Sequence, residues 1–231
     1  MTQWQFWVDR GGTFTDLVAC TPEGALRTHK LLSENPEHYQ DAAVQGIRDL
    51  LDLGPEQDIP AGLIHSVKMG TTVATNALLE RKGEPTVLVT TAGLEDLLRI
   101  GYQNRPTLFD LHIQLPELLY QRVIGASERL DADGRVLTAL EEAGLRADLQ
   151  AAFDAGLRSV AIAFLHGYRF PDHEVRAGAI AREIGFTQVS LSHIASPLIK
   201  LVGRGDTTVV DAYLSPVLRR YVQQVRDALG P

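Results

Sequence analysis

Apolar and polar positions alternate with period two at the start of the chain and with helical period later, and the switch between the two predicts the order of elements. Trp4–Val8 is an aromatic and β-branched run stopped by Arg10-Gly11-Gly12, and Phe14–Cys20 reads as its antiparallel return. A third strand is expected over Leu26–Leu31, after the Pro22–Gly24 turn. Asn35-Pro36 is read as the start of an amphipathic helix carrying Ala42, Ala43, Ile47, Leu50 and Leu51 at three-and-four spacing, closed by Gly54-Pro55. Strands and helices then alternate. Leu63–Met69 is a strand, Thr72–Arg81 a helix, Thr86–Thr90 a strand and Leu94–Leu98 a short helix. Val123–Leu130 and Arg135–Leu137 are strands around an Asp131–Gly134 turn. They are followed by helix Leu140–Ala155, strand Ser159–Leu165, helix Asp172–Ile184, strand Gln188–Ser192 and a final helix from Thr207 to about Ala228. This βα alternation predicts an α/β fold with parallel strand pairs. The polar, proline-bearing stretch Gly101–Pro116 predicts an ordered loop, part of a small excursion over about 101–138 within a single domain spanning 1–231.

Composition narrows the class. An apolar share of 45% is that of an ordinary globular chain, and a net charge of −7 argues against binding nucleic acid or an anionic membrane nonspecifically. The longest clean apolar run, Val160–Leu165, falls far short of the roughly 20 residues of a membrane helix. A single cysteine, Cys20, rules out an intrachain disulfide and any C-x-x-C motif, so a reducing cytoplasmic setting is expected. No pair among the seven histidines has zinc spacing.

Four polar clusters carry candidate chemistry. Asp9-Arg-Gly-Gly-Thr-Phe-Thr-Asp16 sits at the tip of the first hairpin. A phosphate needs several converging N–H donors, and Gly11 and Gly12 admit both positive φ and close backbone approach. Thr13 and Thr15 add hydroxyls, and Asp9 and Asp16 are placed to hold a water-coordinated Mg²⁺ beside a triphosphate. The same string also reads as a plain two-glycine turn with polar flanks. Met69-Gly-Thr-Thr-Val-Ala-Thr-Asn76 lies where a strand hands over to a helix; there Gly70, Thr71, Thr72 and Asn76 can line an anion site, or Thr72 can serve only as a cap. Gly101-Tyr-Gln-Asn-Arg-Pro106 offers Arg105 as a two-pronged partner for a small carboxylate, or an ordinary surface turn. In Arg204-Gly-Asp-Thr-Thr208 a glycine turn opens the last helix, with Asp206 as its N-cap.

Together these strings resemble the N-terminal region of the hydantoinase/oxoprolinase family. The resembling blocks include Val8–Leu17, Met69–Gly83, Ile100–Pro106, Glu128–Leu137, Phe164–Glu174 and Arg204–Tyr221, in family order across essentially the whole chain. Val-Asp-Arg-Gly-Gly-Thr-Phe-Thr-Asp and Ile-Gly-Tyr-Gln-Asn-Arg-Pro look most like the ATP-dependent 5-oxoprolinase branch, with Arg10 the distinguishing residue.

The resemblance implies an actin-like, ribonuclease-H-type ATPase lobe with a mixed sheet, whose N-terminal β-hairpin is a phosphate loop. It also implies ATP-driven opening of 5-oxo-L-proline to L-glutamate with Mg²⁺ and a monovalent cation such as K⁺. Gly11, Gly12, Thr13 and Thr15 would hold phosphate, Asp9 and Asp16 the metal, and Gly70, Thr71, Thr72, Asn76 and Arg105 the cyclic-amide substrate. Family members are several times longer, so the chain is expected to lack the second half of the ATPase and the hydrolytic partner region. It is then expected to be inactive alone, with homo-oligomerisation left open. The alternatives are a hydantoinase or acetone-carboxylase-type subunit of the same family, or a non-catalytic nucleotide-binding module.

Overall fold

The computed structural model describes residues 3–54, 57–104, 107, 109, 111–115 and 117–230, which form two compact units. The first comprises Met1–Lys82 and Val217–Pro231, and the second Gly83–Pro216. The excursion expected at about 101–138 lies within the second.

The first unit is built on β1 (Trp4–Arg10), β2 (Phe14–Cys20), β3 (Leu26–Leu32) and β4 (Ile64–Thr71), in the order β3-β2-β1-β4. The two hairpin contacts are antiparallel and β1 runs parallel to β4, giving a mixed sheet. Side chains alternate between faces. Phe6, Val8, Leu17 and Ala19 turn inward and pack with Ala43, Ile47 and Leu50 of α1 (Ala42–Leu50). That helix starts later than Asn35-Pro36 implies. The Asn35 carbonyl is taken by the N–H groups of His38 and Tyr39 in a turn, and Asp41 caps α1 by accepting from the Val44 N–H at 3.0 Å. Gly46 faces the sheet so closely that a Cβ there would lie 2.5 Å from a methyl of Leu17. Gly46→Ala is therefore expected to cost about 1–3 kcal/mol despite alanine's better helix propensity, read as a lower urea midpoint. After β4 comes α2 (Val73–Leu79).

The second unit is a parallel sheet of β5 (Thr86–Thr91), β6 (Tyr120–Ala126), β9 (Ser159–Ala163) and β10 (Gln188–Leu191), ordered β10-β9-β5-β6. Every residue of β5 and β9 is buried, as expected for strands covered on both faces. Val87, Val89, Val160 and Ile162 pack beneath α4 (Glu142–Asp154) and α5 (Asp172–Ile184). Leu88 and Ala161 face Val209 and Ala212 of α7 (Leu201–Leu229) on the other side. The strand expected over Val123–Leu130 breaks after Ala126, and Arg129–Leu130 (β7) pairs instead with Val136–Thr138 (β8) in a small antiparallel ribbon. Two one-turn helices, α3 (Leu97–Ile100) and α6 (Ser192–Ala195), complete the unit. Among the described residues no helix is long and apolar enough to cross a membrane.

The final helix corrects the sequence reading. It begins at Leu201 rather than Thr207, so Asp206 lies inside it and caps nothing. Arg204 is fully buried and donates to the carbonyls of Phe164, Leu165 and Leu198. Gly205 is a packing glycine, since a Cβ there would sit 2.8 Å from Leu98. Within α7, Pro216 has no N–H for the Ala212 carbonyl. The Ser159 hydroxyl donates to that oxygen instead at 2.5 Å, and the Glu84 N–H takes the neighbouring Tyr213 carbonyl at 2.9 Å.

Candidate phosphate-binding site

The tip of the first hairpin is closed by the Gly11 N–H on the Phe14 carbonyl at 3.0 Å. Gly11 is demanded by close approach, because a Cβ would lie 2.9 Å from that oxygen; neither Gly11 nor Gly12 adopts positive φ, so conformational freedom is not what selects them. Ser33, just beyond β3, braces the turn from beneath. Its N–H donates to the Thr13 carbonyl at 2.9 Å and its hydroxyl to the Gly11 carbonyl at 2.8 Å. With the Ser33 hydrogen so used, the fully buried Thr15 hydroxyl, 3.0 Å away, is the donor to Ser33 Oγ. Thr15 thus supports the turn from the core side, while Gly12 and Thr13 are exposed. The carbonyls of Gly11, Thr13 and Phe14 are taken within the loop and by Ser33, and the N–H groups of Gly12 and Thr13 have no acceptor among the described residues.

The start of α2 is tied to this turn. Both the N–H and the hydroxyl of Thr72 donate to the Arg10 carbonyl, at 3.1 and 3.2 Å. Thr71 Oγ1 accepts from the Val73 N–H at 3.2 Å, so Thr71 rather than Thr72 supplies the side-chain cap. Asn76 lies one turn on, and its amide nitrogen would be 3.7 Å from a Cβ on Gly12. Gly11, Gly12, Thr13, Gly70, Thr71, Thr72 and Asn76 are therefore neighbours in one unit. Arg105 lies outside the described residues.

The two aspartates differ. Strand register sets Lys30, Asp16, Asp9 and Gly70 side by side across β3, β2, β1 and β4, on the exposed face. Lys30 Nζ donates to both oxygens of Asp16 at 2.9 and 3.0 Å, which neutralises that carboxylate. Asp9 has no hydrogen-bond or ion-pair partner among the described residues, and a Cβ on Gly70 would stand 3.8 Å from its Oδ1. Among the described residues no group of three or more His, Cys, Asp or Glu side chains forms a metal cage. A cation at Asp9 would meet a single carboxylate, which is compatible with Mg²⁺ that keeps several waters and rides on substrate phosphates. Ser33 and Lys30 were missed by the sequence reading; pairing Leu26–Leu31 in register against Phe14–Cys20 would have set Lys30 opposite Asp16.

Arg10 points to the core side. Its guanidinium lies over the Tyr221 ring at 5.2 Å and 3.8 Å from Asp41, tying the hairpin to α1 and α7. Burial, with Asp41 adding to it, pushes the Tyr221 phenol far above its usual range, so it stays neutral.

The mixed sheet of the first unit and the parallel sheet of the second define an α/β protein. Comparison with known proteins is more specific: residues 5–185 match the family described as the hydantoinase/oxoprolinase N-terminal region, and the chain belongs to that family. It is 42% identical to a 5-oxoprolinase of Dictyostelium discoideum over 95% of its own length and 20% of that protein's. It is 35% identical to the caprolactamase subunit alpha of Pseudomonas jessenii, covering 98% of this chain and 33% of that one. The crystal structure of the ATP-dependent caprolactamase from the same organism superposes with a TM-score of 0.78 at 32% identity, over 97% of this chain and 33% of that one. A nucleotide-free acetone carboxylase shares the fold, with a TM-score of 0.75 at 21% identity, over 97% of this chain and 34% of its own. The chain thus spans about a fifth of the first curated relatives' length.

Proposed function

We propose that this chain supplies the phosphate-binding lobe of an actin-like ATPase in an enzyme that couples ATP hydrolysis to the opening of a cyclic amide such as 5-oxo-L-proline. The observation that carries the reading is the hairpin turn, whose Gly11 and Thr13 carbonyls are held by Ser33 and whose Gly12 and Thr13 N–H groups are left open, with the carboxylate of Asp9 unpaired on the strand leading into it. A phosphate chain on this turn would accept from those two N–H groups and the Thr13 hydroxyl, with Asn76 reaching it from α2. Asp9 would hold Mg²⁺ through water, and K⁺ would add charge neutralisation.

An amide is resonance-stabilised; moving the γ-phosphoryl group of ATP onto its oxygen, with release of ADP, removes that resonance. Water can then add to the carbon, and the ring C–N bond breaks with the nitrogen leaving as the amine. A second water hydrolyses the resulting acyl phosphate to the carboxylate and phosphate. The protein's share is positioning and neutralisation of charge. The 42% identity to a 5-oxoprolinase favours a cyclic amide over a ketone substrate. The reading assigns water activation and the remaining nucleotide contacts to regions that the longer relatives carry, so this chain by itself would bind without turning over, in a cytoplasmic setting.

Titrating Mg-ATP into the chain by calorimetry tests this. A Cβ fits at Gly12, yet valine there would crowd the open N–H groups, so Gly12→Val should weaken binding at least about tenfold with an unchanged melting temperature. Equal binding by both proteins would remove the hairpin from the site.

A further inference from the structure

Strand register lays one polar row, Lys30–Asp16–Asp9–Gly70, across the exposed face of the first unit's sheet, and within it the two carboxylates are directly cross-strand. Side chains so paired have Cβ atoms about 5 Å apart, close enough for one cation to bridge two carboxylates. A divalent ion binds more tightly the more charged oxygens it meets, so a free pair here would attract one without help from any other ligand.

One member of the pair is already engaged. Lys30 Nζ donates to Oδ1 and Oδ2 of Asp16 at 2.9 and 3.0 Å, so both oxygens carry a positive partner. The same ammonium lies 5.1 Å from the centre of the Phe14 ring, and the Phe14 carbonyl is the acceptor that closes the hairpin tip. Lys30 and Asp16 stand on neighbouring strands in fixed register, so no loop has to be ordered to bring them together. Both side chains are 56% exposed, and an ion pair that open adds little to stability. Its effect is on what else can bind. A dication approaching Asp16 must displace the ammonium or sit beside a like charge, whereas Asp9 has no such occupant.

We infer that Lys30 is a specificity-determining residue of the phosphate site: by occupying Asp16 it leaves Asp9 as the single free carboxylate, so this face takes a divalent cation together with a nucleotide and not by itself. One carboxylate holds hydrated Mg²⁺ weakly until phosphate oxygens supply further ligands. A cation bound beforehand between Asp9 and Asp16 would meet the phosphates with its charge already balanced by the protein. The inference rests on the assignment of Asp9 to the cation made above and names what keeps that position selective.

Mn²⁺, a paramagnetic stand-in for Mg²⁺, is the probe, titrated into the full chain without nucleotide while electron paramagnetic resonance counts the free ion. The native chain should show no site tighter than about 1 mM. Lys30→Met, which keeps an unbranched stem and removes the charge, should bind Mn²⁺ at least about tenfold more tightly. Adding Asp16→Asn to that variant should return it to the native level, and Lys30→Arg, which can fork onto the same carboxylate, should match the native chain. Lys30→Gln makes the same comparison if methionine disturbs the sheet. A native site already that tight, no gain on removing the charge, or a gain that survives Asp16→Asn overturns the inference. Calorimetry of Mg-ATP on the native and Asp9→Asn chains keeps the two readings apart. Mg-ATP binding that depends on Asp9, with no Mn²⁺ gain in Lys30→Met, rejects only the role of Lys30; a Mn²⁺ gain with Mg-ATP binding indifferent to Asp9 rejects the nucleotide reading beneath it.

Discussion

Glu174→Ala should unfold the second unit more readily than any other single change, by about 3–5 kcal/mol in urea titration. The carboxylate is fully buried and every acceptor position is in use. Oε1 takes the Phe164 N–H at 2.9 Å and the Ser192 hydroxyl at 2.5 Å; Oε2 takes the His193 N–H at 3.1 Å and His193 Nδ1 at 2.7 Å. Removing it strands four donors from the ends of two strands, of which the Phe164 N–H and the Ser192 hydroxyl are fully buried away from water. The buried Arg204 loses its nearest negative partner at the same time; burial already pushes that guanidinium's pKa down, with Glu174 opposing the shift. Against a total of roughly 5–15 kcal/mol for a domain, the loss is a large fraction. Glu174→Gln should fall between, since it keeps the Oε1 acceptor and sets an amide donor against His193. A cost below about 1 kcal/mol for the alanine variant would mean that water enters and replaces the carboxylate.

Asp9→Asn should abolish the Mg²⁺-dependent part of nucleotide binding, a loss of about a hundredfold or 2.7 kcal/mol, while leaving the melting temperature unchanged or slightly higher. The small gain follows from register: Asp9 and Asp16 are directly cross-strand, and like charges so placed repel. Asp16→Asn is the informative contrast. Lys30 already neutralises that carboxylate, so its removal should change nucleotide affinity by less than about threefold. Calorimetry with and without Mg²⁺ on both variants checks the pair; equal losses would show that the strand face, not Asp9 itself, attracts the cation.

The hairpin, its glycine tip and the βα alternation were legible in the sequence because period-two patterning and glycine placement are local signals. Residues made important by a distant partner were not. Ser33 reaches Thr15 across 18 positions, and the difference between Asp9 and Asp16 rests on where Lys30 falls in the register of β3. Glu128, His173 and Glu174 look in sequence like the solvated ends of a strand and a helix, yet the two glutamates are buried beneath strand ends. Gly205 was read by the local rule as a turn opening the last helix, whereas the helix runs straight through it and Leu98 is what keeps that position small.

The division of the chain into Gly83–Pro216 and the two segments flanking it has a consequence for biosynthesis. The second unit is continuous, and the Glu84 N–H on the Tyr213 carbonyl holds its two ends together, so it can close as soon as it has left the ribosome. The first unit cannot. Its core takes in Leu229, and its buried residues include Tyr221 and Val225, all encoded after the whole second unit. The glycine hairpin is made first and completed last: a ribosome that stops at Pro216 has made every residue of the second unit, while the core of the first still lacks Tyr221, Val225 and Leu229.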